Sequence, residues 1–493
     1  MAKRPLLNCI LAVGLALSLT GCYRLPTQPG QASLSQPDVS RPERRPTQSL
    51  TLAAYANQSF HPILSRDQVN LTLIPLLYEG LFQLDTSFSP QKQLCHGYEV
   101  SENGLVWTFT LRRDVTFSDE TPLTANHAVQ SLELARTSAS PYSGRFSGIN
   151  SITAQGDHQL VITLSRPNSA LPALLDIPIV LGGGEHPLGT GPYVLAQGED
   201  GQMSLVPRTG ASPTIPLTSV TRTRELTAAF ERGDLSLLRT DLTATDSPGY
   251  SGTYTTVDYD TTSLVYLGFN TAASPFGSAA ARRAAASALD RSALISAAWS
   301  GHARAAALPI HPASPLYDEN LARQLPTPDN ARQLMEQTGL SGRRVTLIVN
   351  SENSYKLTAA QLVARQLEQA GLSVAVSSLP WTDYLSALAN GWFDLYLGEV
   401  TLTADFDLTD LLSSGAPLNY SRWHNGEGDR LLQAFLSAPE DERQQTAADL
   451  CTHLTAQMPV APLCFKRGSV LTRWDRADEL TPTRTNVFFG IDR

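Results

Sequence analysis

Cysteine is scarce in this chain, with five residues among 493, and no two of them form a Cys-Xaa-Xaa-Cys pair. No His-Glu-Xaa-Xaa-His run occurs, and the nine histidines do not fall at ligand spacings, so neither a metal site nor a cofactor is expected. Cys95-His96 reads as a packing thiol beside a solvated imidazole. Basic residues are in deficit: a net charge of -9 and a pI near 5.5 exclude the positive face that nucleic acid requires. A Gly-Xaa-Ser-Xaa-Gly elbow and a useful carboxylate pair are missing, which counts against the alternative of an exported hydrolase, and no enzyme is expected. What is present is a soluble globular balance, 42% hydrophobic and 17% charged, with length enough for two or three domains.

The one apolar run of membrane character is N-terminal. Lys3 and Arg4 precede residues 6–19, too short for a comfortable span, and residues 1–21 read as a secretory signal. The junction Leu19-Thr20-Gly21-Cys22 resembles the bacterial lipobox, which implies cleavage before Cys22 and a diacylglycerol on its thiol. An ordinary signal with a chance cysteine is the alternative. Lipid on Cys22 would anchor the protein to the cell membrane on its extracytoplasmic side, the outer face of the plasma membrane or the periplasm. Residues 22–49, rich in Pro, Gln and Ser, cannot bury enough surface to fold and read as a disordered tether. Cys9 leaves with the signal, so Cys95, Cys451 and Cys464 remain. They allow either a Cys451–Cys464 disulfide with one thiol over or three buried thiols.

Residues 344–420 carry the clearest pattern. The run from Val345 to Asn350 predicts a buried strand, and the stripe Ala359, Leu362, Val363, Leu367 and Ala370 predicts a helix ended by Gly371. Leu372, Val374 and Val376 alternate as a second strand. Trp381, Tyr384, Leu385 and Leu388 share the face of a second helix, and residues 393–400 form a third strand. Such alternation predicts an open, mostly parallel sheet with ligand beyond the strands' carboxyl ends. There lies the acidic loop 401–410, with Asp405, Asp407 and Asp410. Earlier in the chain, Trp107, Phe109 and Leu111 alternate in a half-buried strand, and Pro122 with Thr124 opens a helix through Arg136, which together suggest a small α+β unit. The glycines at 182–184, 189 and 191 have no Lys-Ser/Thr behind them and read as a tight crossing between domains.

In register along the chain stand Tyr78-Glu79-Gly80-Leu81, Tyr98-Glu99-Val100-Ser101-Glu102-Asn103-Gly104-Leu105, Val115-Thr116-Phe117-Ser118-Asp119, Gly189-Thr190-Gly191-Pro192-Tyr193, Phe269-Asn270-Thr271, Ala288-Leu289-Asp290-Arg291 and Asn330-Ala331-Arg332-Gln333-Leu334. This series resembles the family 5 extracellular solute-binding proteins of ABC importers, the peptide and nickel binders, over nearly the whole mature chain. The resemblance implies an α/β fold of the class II periplasmic-binding-protein type: two lobes with a hinge and a small additional α+β domain. Segments 50–81, 185–264 and 466–493 would build the first lobe, 82–184 the small domain and 265–465 the second lobe. Implied partners are a peptide or similar small solute and a permease with its ATPase, with the protein a monomer; a peptide-sensing lipoprotein of the same fold is the other reading.

In peptide-binding relatives an Asp after the third strand meets the peptide's ammonium, and Asp405 in Ala404-Asp405-Phe406 matches it; a loop-turn or helix-cap carboxylate is the alternative. Trp381 matches a pocket aromatic, or packs in the core. Tyr142 in Ser140-Pro141-Tyr142 matches a tyrosine that reaches the ligand from the small domain. The loop with Asn57 and Phe60, and Asn419 with Tyr420, are expected at the cleft. Glu399 is also expected to meet the ligand. The strand 393–399 before the Asp carries none of the arginines that some peptide binders place there for a ligand carboxylate, so the site suits a cationic or amine-bearing ligand, or a long peptide with an unclamped C-terminus.

Overall fold

The computed structural model describes residues 49–210, 212–245 and 247–491. The proposed signal, Cys22 and nearly all of the tether lie outside them. Among the described residues no helix is long and apolar enough to cross a membrane. Cys95, Cys451 and Cys464 are buried free thiols, which decides the cysteine question against a disulfide.

A four-stranded sheet of the first lobe runs in the order Leu52–Tyr55, Ile215–Val220, Met203–Pro207, Tyr193–Gln197. A second four-stranded sheet is wholly antiparallel: Cys95–Val100, Val106–Leu111, Gln159–Leu164, Ile149–Gln155. Trp107, Phe109 and Leu111 are buried and their neighbours half-buried, the period of two that the sequence carries. Helix Ala125–Thr137 packs on this sheet, with Thr124 and His127 forming a reciprocal cap. Of the glycines read as a tight crossing, Gly182, Gly183 and Gly184 have open space where a side chain would stand, while Gly189 and Gly191 press on the Leu77 backbone. A Cβ on Gly189 would stand 2.1 Å from the Leu77 carbonyl oxygen, so no side chain fits there.

A seven-stranded sheet carries the second lobe and runs on into the first. Strands Arg344–Asn350, Ser373–Leu379 and Leu395–Thr401 are parallel, with Arg344–Asn350 in the middle. The expectation of a mostly parallel sheet is corrected, because the remaining pairings described, with Thr255–Phe269, Val460–Thr472, Leu237–Thr240 and Ala303–Ala305, are antiparallel. These strands come from far away in sequence, where local alternation of elements carries no information. Helix Ser354–Gln369 buries Ala359, Ala360, Val363, Ala364 and Leu367. In helix Trp381–Asn390 the buried face is Tyr384, Ala387 and Leu388, while Trp381 is 49% exposed. Its place on the predicted stripe is therefore corrected: it opens the helix, where the first turn overhangs the core.

Two strands are far longer than the rest. Thr255–Phe269 has 15 residues and, at about 3.4 Å each, reaches about 50 Å. It pairs antiparallel with Val460–Thr472, and the register shifts between Asp260 and Leu264. On one side of that irregularity Tyr259 and Val470 belong to the first lobe's core. On the other, Val265, Leu267 and Leu463 belong to the second lobe's core.

Beside the crossing, the His311 ring lies between Phe465, tilted at 4.7 Å, and Phe88, edge-on at 4.8 Å. Phe88 tips the hairpin of Phe82–Leu84 and Pro90–Lys92, where Asp85 Oδ1 accepts hydrogen bonds from the Ser87 and Ser89 amides. His311 is fully buried, its Nδ1 accepts from the Ala313 amide, and burial pushes its pKa down to about 4. Asp260 opposes that shift, and Arg304 and Arg467 reinforce it. A folded-state pKa below the unfolded value of about 6.5 gives stability that is complete above pH 6.5 and lost as pH falls toward 4, about 3 kcal/mol at most. Urea unfolding at pH 7 and pH 4.5 should show this loss in the wild type and a smaller one in His311→Asn; equal losses would place its origin elsewhere.

Candidate functional site

The acidic loop leaves the carboxyl end of Leu395–Thr401 and folds back under the small unit. Phe406 takes a left-handed backbone with φ of 57°, and its ring is buried against Phe88 at 5.6 Å. That turn drives Asp405, 3% exposed, toward segment 165–175. One carboxylate oxygen accepts from the Thr403 hydroxyl and, at 3.4 Å, from the Asp407 amide. The other accepts from Asn168 Nδ2 at 3.1 Å, across the junction between the small unit and the second lobe.

Arg443, at the start of helix Arg443–Gln457, locks the loop from behind. Its Nη2 donates to the Asp405 carbonyl at 2.7 Å, its Nη1 to Ser169 Oγ at 3.4 Å, and its guanidinium lies 4.7 Å from the Phe435 ring centroid. Burial lowers the Arg443 pKa, and Asp405, Glu440 and Asp407 oppose it. Asp407 takes the turn role, accepting from the Thr409 amide at 2.8 Å, with Arg166 3.7 Å away. Burial, aided by Asp405, raises the Asp407 pKa. The cavity beside Asp405 is about 40 Å³, room for ordered water and not for a peptide.

A larger cavity adjoins it. Arg145 lines both, and the second, about 330 Å³, opens beside Tyr142, Gln68, Gln83, Arg239 and Arg484. Arg145 Nη1 donates to Asp176 and, at 3.2 Å, to the Leu174 carbonyl, and its guanidinium covers the Tyr142 ring at 4.8 Å. Asp405 and Tyr142 thus stand on the walls of neighbouring cavities.

The other expected site residues lie elsewhere. Asn57 is exposed in the turn after the first strand. Phe60 is buried against His186 at 5.0 Å, lining a separate cavity of about 340 Å³ in the first lobe. Glu399 sits at the hinge, 3.5 Å from both Lys356 and Lys466, and Lys466 reaches on to Asp241 at 2.8 Å. Asn419 braces its own loop, donating to the Ser413 and Trp423 carbonyls, and Tyr420 packs at the margin of the second core. Trp381 lies over Tyr384 at 5.8 Å. Sequence reasoning missed Asn168, Arg443, Arg145, Arg239 and Arg484, which come from separate segments with no spacing to betray them. No group of three or more His, Cys, Asp and Glu side chains among the described residues could hold a metal.

Arg443→Met removes the donors that tie the loop to segment 165–175 and leaves the Asp405 carbonyl buried without its partner. Urea denaturation should show a loss of about 2–4 kcal/mol; a change under about 0.5 kcal/mol would reject this role.

The family profile described as bacterial extracellular solute-binding proteins, family 5 middle, matches residues 89–416, more than half of the chain. The probable peptide ABC transporter periplasmic-binding protein y4tO of Sinorhizobium fredii is 23% identical, over 94% of each chain. The oligopeptide-binding protein AppA of Bacillus subtilis is 21% identical over 76% of this chain and 78% of its own. Among solved structures, the murein tripeptide-binding protein MppA in its unliganded open form superposes with a TM-score of 0.76 at 19% identity, covering 90% of this chain and 96% of its own. The chain therefore belongs to the family 5 bacterial extracellular solute-binding proteins, which are binding proteins and not enzymes.

Proposed function

We propose that this protein is the substrate-binding lipoprotein of an ABC importer, capturing a short peptide outside the cell and delivering it to a membrane permease. One observation carries the reading: a buried carboxylate, Asp405, sits at the junction of the lobes, bonded across it by the neutral amide of Asn168. An ammonium arriving there would displace Asn168 and gain a charge-assisted bond in a low-dielectric setting. Relatives whose names specify peptides support the choice of ligand. The long paired strands Thr255–Phe269 and Val460–Thr472 suit a hinge whose bending opens the junction. On this reading segments 50–81, 185–264 and 466–493 move as one lobe with the small domain 82–184, against 265–465. The lipid on Cys22 and the tether keep the receptor beside its permease.

Protein stripped of ligand and reloaded with the peptides that co-purify with it should scatter X-rays with a smaller radius of gyration when loaded. Calorimetry should show that Asp405→Asn weakens a ligand with a free amino terminus by about 2–5 kcal/mol; unchanged affinity would remove Asp405 from the site. Cys22→Ser should move the protein from the membrane fraction to the soluble fraction, and no change in partition would refute the lipid anchor.

A further inference from the structure

The 330 Å³ cavity beside Tyr142 concentrates like charge. Three guanidiniums reach it from three distant segments: Arg145 from the turn Ser143–Phe146, Arg239 from strand Leu237–Thr240, and Arg484 from the C-terminal tail. One carboxylate, Asp176, answers them, with its side chain 2% exposed. It bonds Arg145, and its second oxygen lies 3.7 Å from Arg484 Nη2, beyond hydrogen-bond reach. Three positive groups and one negative leave an excess of two charges, and the glutamines of the lining cannot offset it.

Arg484 is the least satisfied member. Its Nη1 makes one long bond to the Thr262 hydroxyl at 3.5 Å, while Nε and Nη2 are buried without a hydrogen-bond partner, as is Asp176 Oδ2. The residue is nonetheless held in place: its carbonyl accepts from Arg239 Nη2 at 2.7 Å, and the Thr483 amide closes the tail onto the Asn486 carbonyl at 2.9 Å. Arg239 is in turn fixed by Tyr259, whose hydroxyl accepts from Nε at 2.8 Å. Burial lowers the Arg484 pKa, Asp176 opposes, and Arg145 and Arg239 push it further down. A guanidinium does not escape such a setting by losing its proton. Donors left unpaired are costly; these two have no surface open to the cavity, so a carboxylate matches the guanidinium fork with two parallel bonds once the Arg484 side chain, 17% exposed, turns toward it.

We infer that Arg145, Arg239 and Arg484 form an anion subsite that takes the carboxylate terminus of the ligand, with Arg484 as its principal donor. This rests on the peptide-receptor reading above and deepens it. The strand before Asp405 holds no arginine, and the missing cations are supplied from the small domain, the first lobe and its tail. Arg145 lines both cavities and stands between Asp405 and Arg484. The 40 Å³ space has no room for a peptide, so on the receptor reading a short one lies across them, ammonium toward Asp405 and carboxylate toward Arg484, only with the lobes parted. The ligands selected are short peptides with a free C-terminus.

The test is equilibrium dialysis of the stripped full-length protein against two pools of di- to tetrapeptides, one of free acids and one C-terminally amidated, with retained peptides counted by mass spectrometry. The wild type should retain free acids at least about tenfold over amides, the worth of one charge-assisted bond, and Arg484→Gln should abolish the preference while Arg484→Lys keeps part of it. Equal retention of both pools by the wild type, or an undiminished preference in Arg484→Gln, overturns the subsite. If neither pool is retained, the peptide reading itself fails, and citrate decides the subsite. Citrate should raise the wild-type melting temperature above that in sodium chloride of equal ionic strength and should not do so in Arg484→Gln; no citrate effect in the wild type overturns it. Circular dichroism of each variant confirms folding before binding is read.

Discussion

The antiparallel pairing of Thr255–Phe269 with Val460–Thr472 is the constraint on which everything else in this molecule depends. Each strand contributes to the cores of both lobes, so the lobes are joined by ladder hydrogen bonds on either side of the crossing and not by a flexible linker. The register shift between Asp260 and Leu264 interrupts the ladder where one core gives way to the next. A ladder is locally disrupted at such an irregularity, and the lobe movement proposed above would concentrate there.

Around the crossing the protein buries charge in matched sets. Lys356 and Lys466 flank Glu399, and Lys466 also reaches Asp241 on the first-lobe side. Burial works against both ammonium groups; it prevails at Lys356, while at Lys466 Glu399 and Asp241 outweigh it and hold the group above the ordinary lysine value. Asp258 and Asp260 are likewise answered by His302, Arg304 and Arg467. Half-buried pairs of this kind contribute little net stability but penalise misplacement severely, which fits a region that must return to one geometry after moving. The arginine cavity is the exception to the matching, and that imbalance is what sets it apart as a place for an anion.

The junction also shows how a recognition group is kept ready without a ligand. Asp405 is buried, yet its side-chain hydrogen-bond partners are neutral: the Asn168 amide holds Oδ2 from across the junction, and the Thr403 hydroxyl of its own loop holds Oδ1. Arg443 spends Nη2 on the Asp405 main-chain carbonyl. The carboxylate therefore has no hydrogen-bonded cation, and exchanging Asn168 for an ammonium exchanges a weaker bond for a stronger one.

Local periodicity in the sequence was enough to place the strand Val106–Leu111, the helix Ala125–Thr137 and the parallel trio around Arg344–Asn350, because each buries a face that its own residues define. The glycine pattern was legible only in part: Gly189 has no room for a side chain against Leu77, whereas Gly182 and Gly184 are needed for their left-handed backbone and stand in open space. The series of motifs in register also announced the family. Periodicity could not reveal that Thr255–Phe269 and Val460–Thr472 pair over most of their length, since partners some two hundred residues apart leave no mark on each other's spacing. Nor could it show that Trp381 points outward while Asp405 turns in. Arg145, Arg239 and Arg484 are ordinary arginines in three unrelated stretches of sequence, and they share a cavity because chain crossings bring the small unit, a sheet strand and the C-terminal tail to one place. Composition and period fix which residues are buried and in what kind of element, whereas the meeting of distant charges is decided by long-range packing alone.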